Sequence, residues 1–357
     1  YENAQANPFI TWETAKKSNI GLDANFFKGK LGVVIDVFKE RRSNMLITPD
    51  AVVPSEYGIG ISQVNAGIME NKGIEVTLTT DHQFKNGLKA GAAFNLSYAR
   101  NKLIQVFENG STFNNPNRRM TGRPWNTQFG LQDLGLFQLS DFEDDGTTLK
   151  SGIPVPTFGP VRPGDIKYSD IAGAPDASGK PGAPDGKIDV NDYTTIGDPL
   201  FPQITYGLNL NLSWKGFDAS VLLQGALKAN VYLSGETAYP FFNGAKIYKE
   251  QTDTWTPDNT NASFPRLTPT PITNNTQASS FWIRNGDFLR IKTLQVGYSI
   301  PESLIQRTGL RSIRIFAAGQ NLFTFSDMKF LDPELGDPRA RYYFQQKTYS
   351  FGLSLGF

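Results

Sequence analysis

Cysteine is absent from these 357 residues, which removes disulfides, thiolate zinc sites and thiol nucleophiles together. Histidine occurs once, at His82, so neither a Ser-His-Asp triad nor histidine-based zinc chemistry has material to build on. Beside a turn signal, His82 reads as a solvated interfacial residue. No apolar run approaches the ~20 residues that a membrane helix needs. Long capped amphipathic helices are missing too, and the best short candidate is Pro301–Arg307. Nor is there an excess of one charge: the net value is +1 with both signs interspersed, so no nucleic-acid footprint is expected. The pairs Arg41-Arg42 and Arg118-Arg119 read as solvated loop or strand-end residues. No glycine loop that could cradle phosphate joins a strand to a helix, and no carboxylate pair stands out as acid and base. An enzyme is therefore not expected. The chain opens on Tyr1 with no signal peptide before it, and reads as a processed product or a piece of something longer.

What is plentiful is glycine (34), phenylalanine (26) and tyrosine (13), a composition of strands, turns and aromatic belts. In the last ten residues, Tyr349, Phe351, Leu353, Leu355 and Phe357 fill one phase of a period-two pattern. Ser350, Gly352, Ser354 and Gly356 fill the other. Residues 203–214 repeat it, with Ile204, Tyr206, Leu208, Leu210, Leu212 and Trp214 against amides, hydroxyls and glycine. The two-residue link Lys215-Gly216 then leads to Phe217, Ala219, Val221 and Leu223, a hairpin signal. Lys28-Gly29 is read as a similar tight link after Ile20, Leu22, Ala24 and Phe26, and Lys85-Asn86-Gly87 as another after Ile74, Val76 and Leu78. Soluble sheets alternate as well, but with strands of about 5–6 residues. A membrane barrel turns its apolar phase to lipid and its polar phase to a wet lumen, which leaves a mean hydropathy of −0.34 unobjectionable.

Link lengths alternate between short turns and long connections, the asymmetry of outer-membrane barrels. The expected fold is therefore all-β: a transmembrane antiparallel β-barrel portion of ~9 strands with long extracellular loops, ending on the periplasmic side. Residues 1–17 are expected to be a loop lead-in, and 18–357 barrel interrupted by loops at about 101–202 and 233–286. An odd strand count and the cost of open edges in lipid imply that further strands come from outside this sequence.

The loops carry Trp125, Phe129, Tyr239, Trp255 and Trp282. Exposed rings could stack on sugar or peptide ligands; alternatively they pack the loops onto one another and onto a partner. Asp185-Gly-Lys-Ile-Asp-Val-Asn-Asp192 is similar to the second half of an EF-hand-type calcium loop, with Asp185, Asp189 and Asp192 at its fifth, ninth and twelfth positions. Pro181 and Ala183 occupy the first and third, so Asp170 or Asp176 would have to substitute. A Ca2+ site at Asp170, Asp185, Asp189 and Asp192 and a metal-free acidic turn both remain open.

An ordered set of short segments spans nearly the whole chain. It comprises Asn7–Glu13, Asn19–Asp23, Asn71–Glu75, Pro163–Tyr168, Asp185–Asp189, Tyr206–Asn209, Lys215–Phe217, Phe288–Lys292, Gly297–Pro301, Asp332-Pro-Glu334 and the final Phe357. In this order the set resembles the C-terminal part of the SusC/RagA-type TonB-dependent outer-membrane transporters. The departure is the expanded proline-rich stretch before Asp185, which weakens the metal expectation. The resemblance implies a 22-stranded barrel whose plug and first strands lie outside this sequence. It implies active import of oligosaccharides or peptides, energised through TonB by way of the absent N-terminal part. A SusD-like surface lipoprotein would act as lid, outer-membrane lipid would surround the wall, and the barrel-assembly machinery would recognise Tyr349, Phe351, Leu353, Leu355 and Phe357. The alternatives are a transport-inactive scaffold barrel and, in another class, a soluble glycan-binding β protein.

Overall fold

Nine strands of 9 to 20 residues carry the architecture. A computed structural model describes residues 6–49, 61–334 and 337–357. The strands are β1 (Thr14–Phe26), β2 (Leu31–Ile47), β3 (Val64–Gln83), β4 (Lys89–Gln105), β5 (Ile204–Trp214), β6 (Phe217–Leu227), β7 (Phe288–Ser299), β8 (Ser312–Ser326) and β9 (Thr348–Gly356). Each pairs antiparallel with its sequence neighbours in one sheet of order β1 to β9, the meander of a barrel wall.

Register keeps the two phases apart across the sheet. On the apolar face, Ile20, Val37, Ile74, Tyr98 and Ile204 sit opposite one another in turn. Nearer the short turns, Trp214, Phe217, Tyr298, Ile315 and Leu353 do the same. The other face brings together Asn95, Gly207 and Gln224, and Asp218 with Gly297. A one-residue slip anywhere would mix the faces, so the phases lock the register. Phe351 and Phe357 are 85% and 81% exposed, so this apolar face is no sealed protein core. Val34, Phe38, Leu222 and Phe316 depart from the pattern as apolar residues on the polar face.

The turns follow local chemistry. Lys215 (φ 48°) and Gly216 (φ 85°) form a two-residue link with both residues left-handed, the backbone that matches the twist of the flanking strands. The first hairpin is wider than read from sequence: four residues, 27–30, connect Phe26 to Leu31, with Phe27, Lys28 and Gly29 all at positive φ. Pro301 leads into a single helical turn, Glu302–Ile305, continued as a 3-10 turn to Thr308.

Two boundaries also differ from the sequence expectation. β1 begins at Thr14 rather than 18, and β4 runs to Gln105 rather than stopping near 100. Alternation lapses there because Thr14–Lys17 is largely polar and Leu103 and Ile104 fall in opposite phases, yet backbone pairing continues: Lys17 opposes Glu40 and Met69 opposes Leu103. The long connections thus span 106–203 and 228–287.

The largest hydrophobic core lies in the loops, not the wall. Leu131, Leu136, Ile166, Tyr168, Ile188, Leu233, Trp255, Phe264, Trp282 and Leu331 pack into one cluster. Its members come from both long connections and from the β8–β9 link, so the loops fold together as a platform.

Candidate functional site

Platform and wall meet on the polar face around a cavity of about 880 Å³. Asn95, Thr205 and Gln224 line it from the wall, Leu222 and Phe288 add apolar surface, and Phe201 and Glu334 close it from the loops. A second cavity, of about 650 Å³, lies nearer the short turns beside His82, Lys89, Ser213 and Asp218. His82 packs edge-on against Phe84 with ring centroids 4.4 Å apart.

Arg290 ties platform to wall. It occupies the polar phase of β7 and is only 1% exposed. Its guanidinium donates to Asp332 (2.7 Å), Glu334 (2.5 Å), the Gln345 side-chain oxygen Oε1 (2.5 Å) and the Thr324 hydroxyl (2.9 Å). A buried guanidinium with its donors this fully matched holds several loop groups in one geometry. Gln224 reaches the same Glu334 at 3.4 Å. The link also joins the platform through Arg339, which grips Glu236 with two bonds of 2.6 and 2.5 Å. The Arg339 guanidinium holds the Glu236 carboxyl below the usual range. Closer to the turns, Arg314 crosses Gly297 to reach Asp218 at 2.9 and 2.5 Å; a Cβ on Gly297 would meet the guanidinium.

Polar groups buried within the platform are matched as well. Asp165, fully buried, accepts from Arg266, from the Asn275 amide and from the Arg162 backbone N–H. Tyr168 donates to the Asn274 carbonyl at 2.7 Å, and burial pushes its phenol up.

The predicted ligand-stacking rings fare unequally. Trp282 is 1% exposed, its indole N–H bonded to the Asn275 carbonyl and its ring edge-on to Tyr239. Trp255 is buried and donates to the Gln138 side chain at 3.2 Å. Tyr239 is half-buried on the same cluster. These three pack loop to loop, since burying rings is how a long loop acquires a core. Phe129 is half-buried near the Arg123 guanidinium, 5.8 Å from its ring centroid, and only Trp125 of the five is exposed.

The four aspartates do not gather into a metal centre either. Among the described residues, no group of three or more His, Cys, Asp or Glu could hold an ion. Asp170 instead accepts from the Gly186 backbone N–H (2.6 Å), Asp185 from that of Lys187 and Asp189 from that of Asn191. Asp192 is fully buried and accepts from the backbones of Ile171, Ala172 and Asp189, while burial raises its carboxyl. Backbone donors thus orient each of these carboxylates, and Asp170 and Asp192 fasten the acidic segment to residues 170–172.

Sequence reading missed Arg290 and Arg339 as organisers. The available signal was Arg290 set among Phe288, Leu289 and Ile291 at the start of β7, followed far downstream by Asp332 and Glu334.

Comparison with known proteins agrees with this geometry. Residues 1–196 match the family model described as TonB dependent receptor-like, beta-barrel. TonB-dependent receptor P3 of Formosa agariphila is 28% identical over 92% of this chain and 31% of its own length. TonB-dependent receptor SusC of Bacteroides thetaiotaomicron is 24% identical over 98% of this chain and 32% of its own. The chain thus spans about a third of the length of these curated relatives. In fold it resembles the structure of the RagAB peptide transporter, with a TM-score of 0.72 and 24% identity over 99% of this chain and 36% of that one. β-barrels of this kind are outer-membrane proteins, and the apolar face of the sheet is the lipid face. The chain belongs to the TonB dependent receptor-like β-barrel family.

Proposed function

We propose that the chain is the C-terminal barrel portion of an active outer-membrane importer of oligosaccharides or peptides. The observation that carries this reading is the cavity of about 880 Å³ between the polar wall and the loop platform. Its lining mixes amides, a hydroxyl and a carboxylate with leucine and aromatic surface, which suits a polar cargo with some apolar area. The loops face the cell exterior, the short turns and the C-terminus face the periplasm, and a SusD-like lipoprotein covers the platform as a lid. TonB acts through protein beyond this sequence, which also supplies the plug and the strands that pair β1 and β9. The exposed aromatic phase of β9, Tyr349 to Phe357, is the segment offered to the barrel-assembly machinery. The three proteins named above support this reading, two being called TonB-dependent receptors and the third a peptide transporter.

The test uses the full-length protein in its native membrane, with labelled oligosaccharides and peptides of graded length supplied to cells. Uptake that requires both this protein and TonB is the expected result. Equal uptake of every probe by cells with and without the protein, where it assembles with its lipoprotein when present, would instead identify a transport-inactive scaffold.

A further inference from the structure

The lipid face of β1 to β4 ends abruptly in positive charge. The row Ile20, Val37, Ile74, Tyr98 is the last apolar one on the loop side. Two residues further along each strand on the same face, Lys39 opposes Lys72 and Lys72 opposes Arg100. Two residues beyond that, Lys16 opposes Arg41, Arg41 opposes Glu70 and Glu70 opposes Lys102. Six bases and one acid thus occupy two rows, with strands ~4.8 Å apart and rows ~6.7 Å apart. All six bases are exposed.

Their partners differ from those on the opposite face. There, Lys17 and Arg42 pair with Glu40, and Arg42 also with Glu13. On the lipid face, Lys39 reaches Glu70 at 2.9 Å. Among the described residues, no carboxylate lies within 4 Å of Lys16, Arg41, Lys72, Arg100 or Lys102. Like charges directly opposite in a sheet repel, so Lys72 and Arg100, side by side in one row and without a carboxylate within 4 Å among the described residues, call for an anion from outside the chain. The row borders the hydrocarbon band, where the abundant anions are lipid headgroups.

We infer that this grid is a binding surface for phosphorylated lipid headgroups of the leaflet at the loop end. Continuity with the lipid face and complementarity of charge select lipid over a soluble phosphate or an acidic protein. Phosphates seat between Lys39, Lys72 and Arg100, and Lys16, Arg41 and Lys102 form a second tier around Glu70. The surface rests on the outer-membrane reading and would fix the depth of the barrel wall on this side.

The experiment uses the full-length protein purified in a neutral detergent, with lipid A, a glycolipid carrying two phosphates, as probe. Binding is compared with dephosphorylated lipid A, with inorganic phosphate as competitor, and with the triple variant Arg41→Gln, Lys72→Gln, Arg100→Gln. Expected are preference for the phosphorylated lipid, at least a tenfold rise in Kd for the triple variant, and no change for Lys17→Gln on the other face. Should the triple variant fail to assemble, the single variants Lys72→Gln and Arg100→Gln carry the same test with smaller shifts. Equal binding of both lipids, undiminished binding by the variants, or displacement of lipid A by equimolar inorganic phosphate each overturns the proposal. Solubility of the full-length protein without detergent would instead overturn the membrane reading beneath it.

Discussion

At the scale of single residues, adjacent positions on one strand should answer oppositely to the same charge. Leu210 lies on the lipid face of β5 and Asn209 on the lumen face. Leu210→Arg puts a guanidinium in hydrocarbon at about 2–4 kcal/mol near the midplane, whereas Asn209→Arg keeps its charge wet. Assembly yield of the full-length protein should fall for the first and hold for the second; equal yields would contradict the phase assignment. Trp282 and Trp125 form a second contrast. Trp282→Ala empties a sealed site at about 3–5 kcal/mol, while Trp125→Ala trims an exposed ring. Protease sensitivity of the platform should rise only for Trp282→Ala. Arginine 290 acts through the loop it holds. Arg290→Met would leave Asp332 and Glu334 without their shared donor, so hydrogen exchange should speed up in residues 327–334 and 337–347. Unchanged exchange there would show that the loop stands without it.

Among the elements, the β8–β9 link is fastened twice, at Arg290 on the wall and at Arg339 on the platform. The second fastening carries a pH dependence of definite sign. The Arg339 bond lowers the Glu236 carboxyl below its unfolded value, so the contribution is fully present above the ordinary glutamate range. It is lost as pH falls through the lowered folded value. Loosening of residues 337–347 in acid, absent from Arg339→Gln, would be seen by exchange or proteolysis; loosening with rising pH would contradict the assignment. The strands themselves were legible in sequence wherever one phase was apolar and the other was not, as in β5 and β9. Legibility failed at Thr14–Lys17, which is largely polar, and at Asn101–Gln105, where Leu103 and Ile104 fall in opposite phases and blur the alternation, while backbone pairing continues through both. It failed also in the loops, because burial of Trp255 and Trp282 depends on contacts between segments distant in sequence, which no local spacing encodes. The acidic run Asp185–Asp192 has metal-like spacing, and the backbone contacts its carboxylates accept, from Lys187, Asn191 and Ala172, are not encoded in that spacing.

For the molecule as a whole, an inverted distribution of apolar residues is the controlling feature. The wall turns aromatic and aliphatic side chains outward, and the largest compact core belongs to the loop platform. In water such a wall would present an apolar surface far larger than soluble monomers expose; in a bilayer it is the required exterior. The most direct measurement places single nitroxide labels along β5 of the reconstituted full-length protein, with collision rates read for oxygen and for a water-soluble nickel complex. Leu208→Cys, Leu210→Cys and Leu212→Cys should favour oxygen, and Asn209→Cys, Asn211→Cys and Ser213→Cys should favour nickel, giving a period of two along the strand. Nickel access at all six positions, or no alternation among them, would contradict the account.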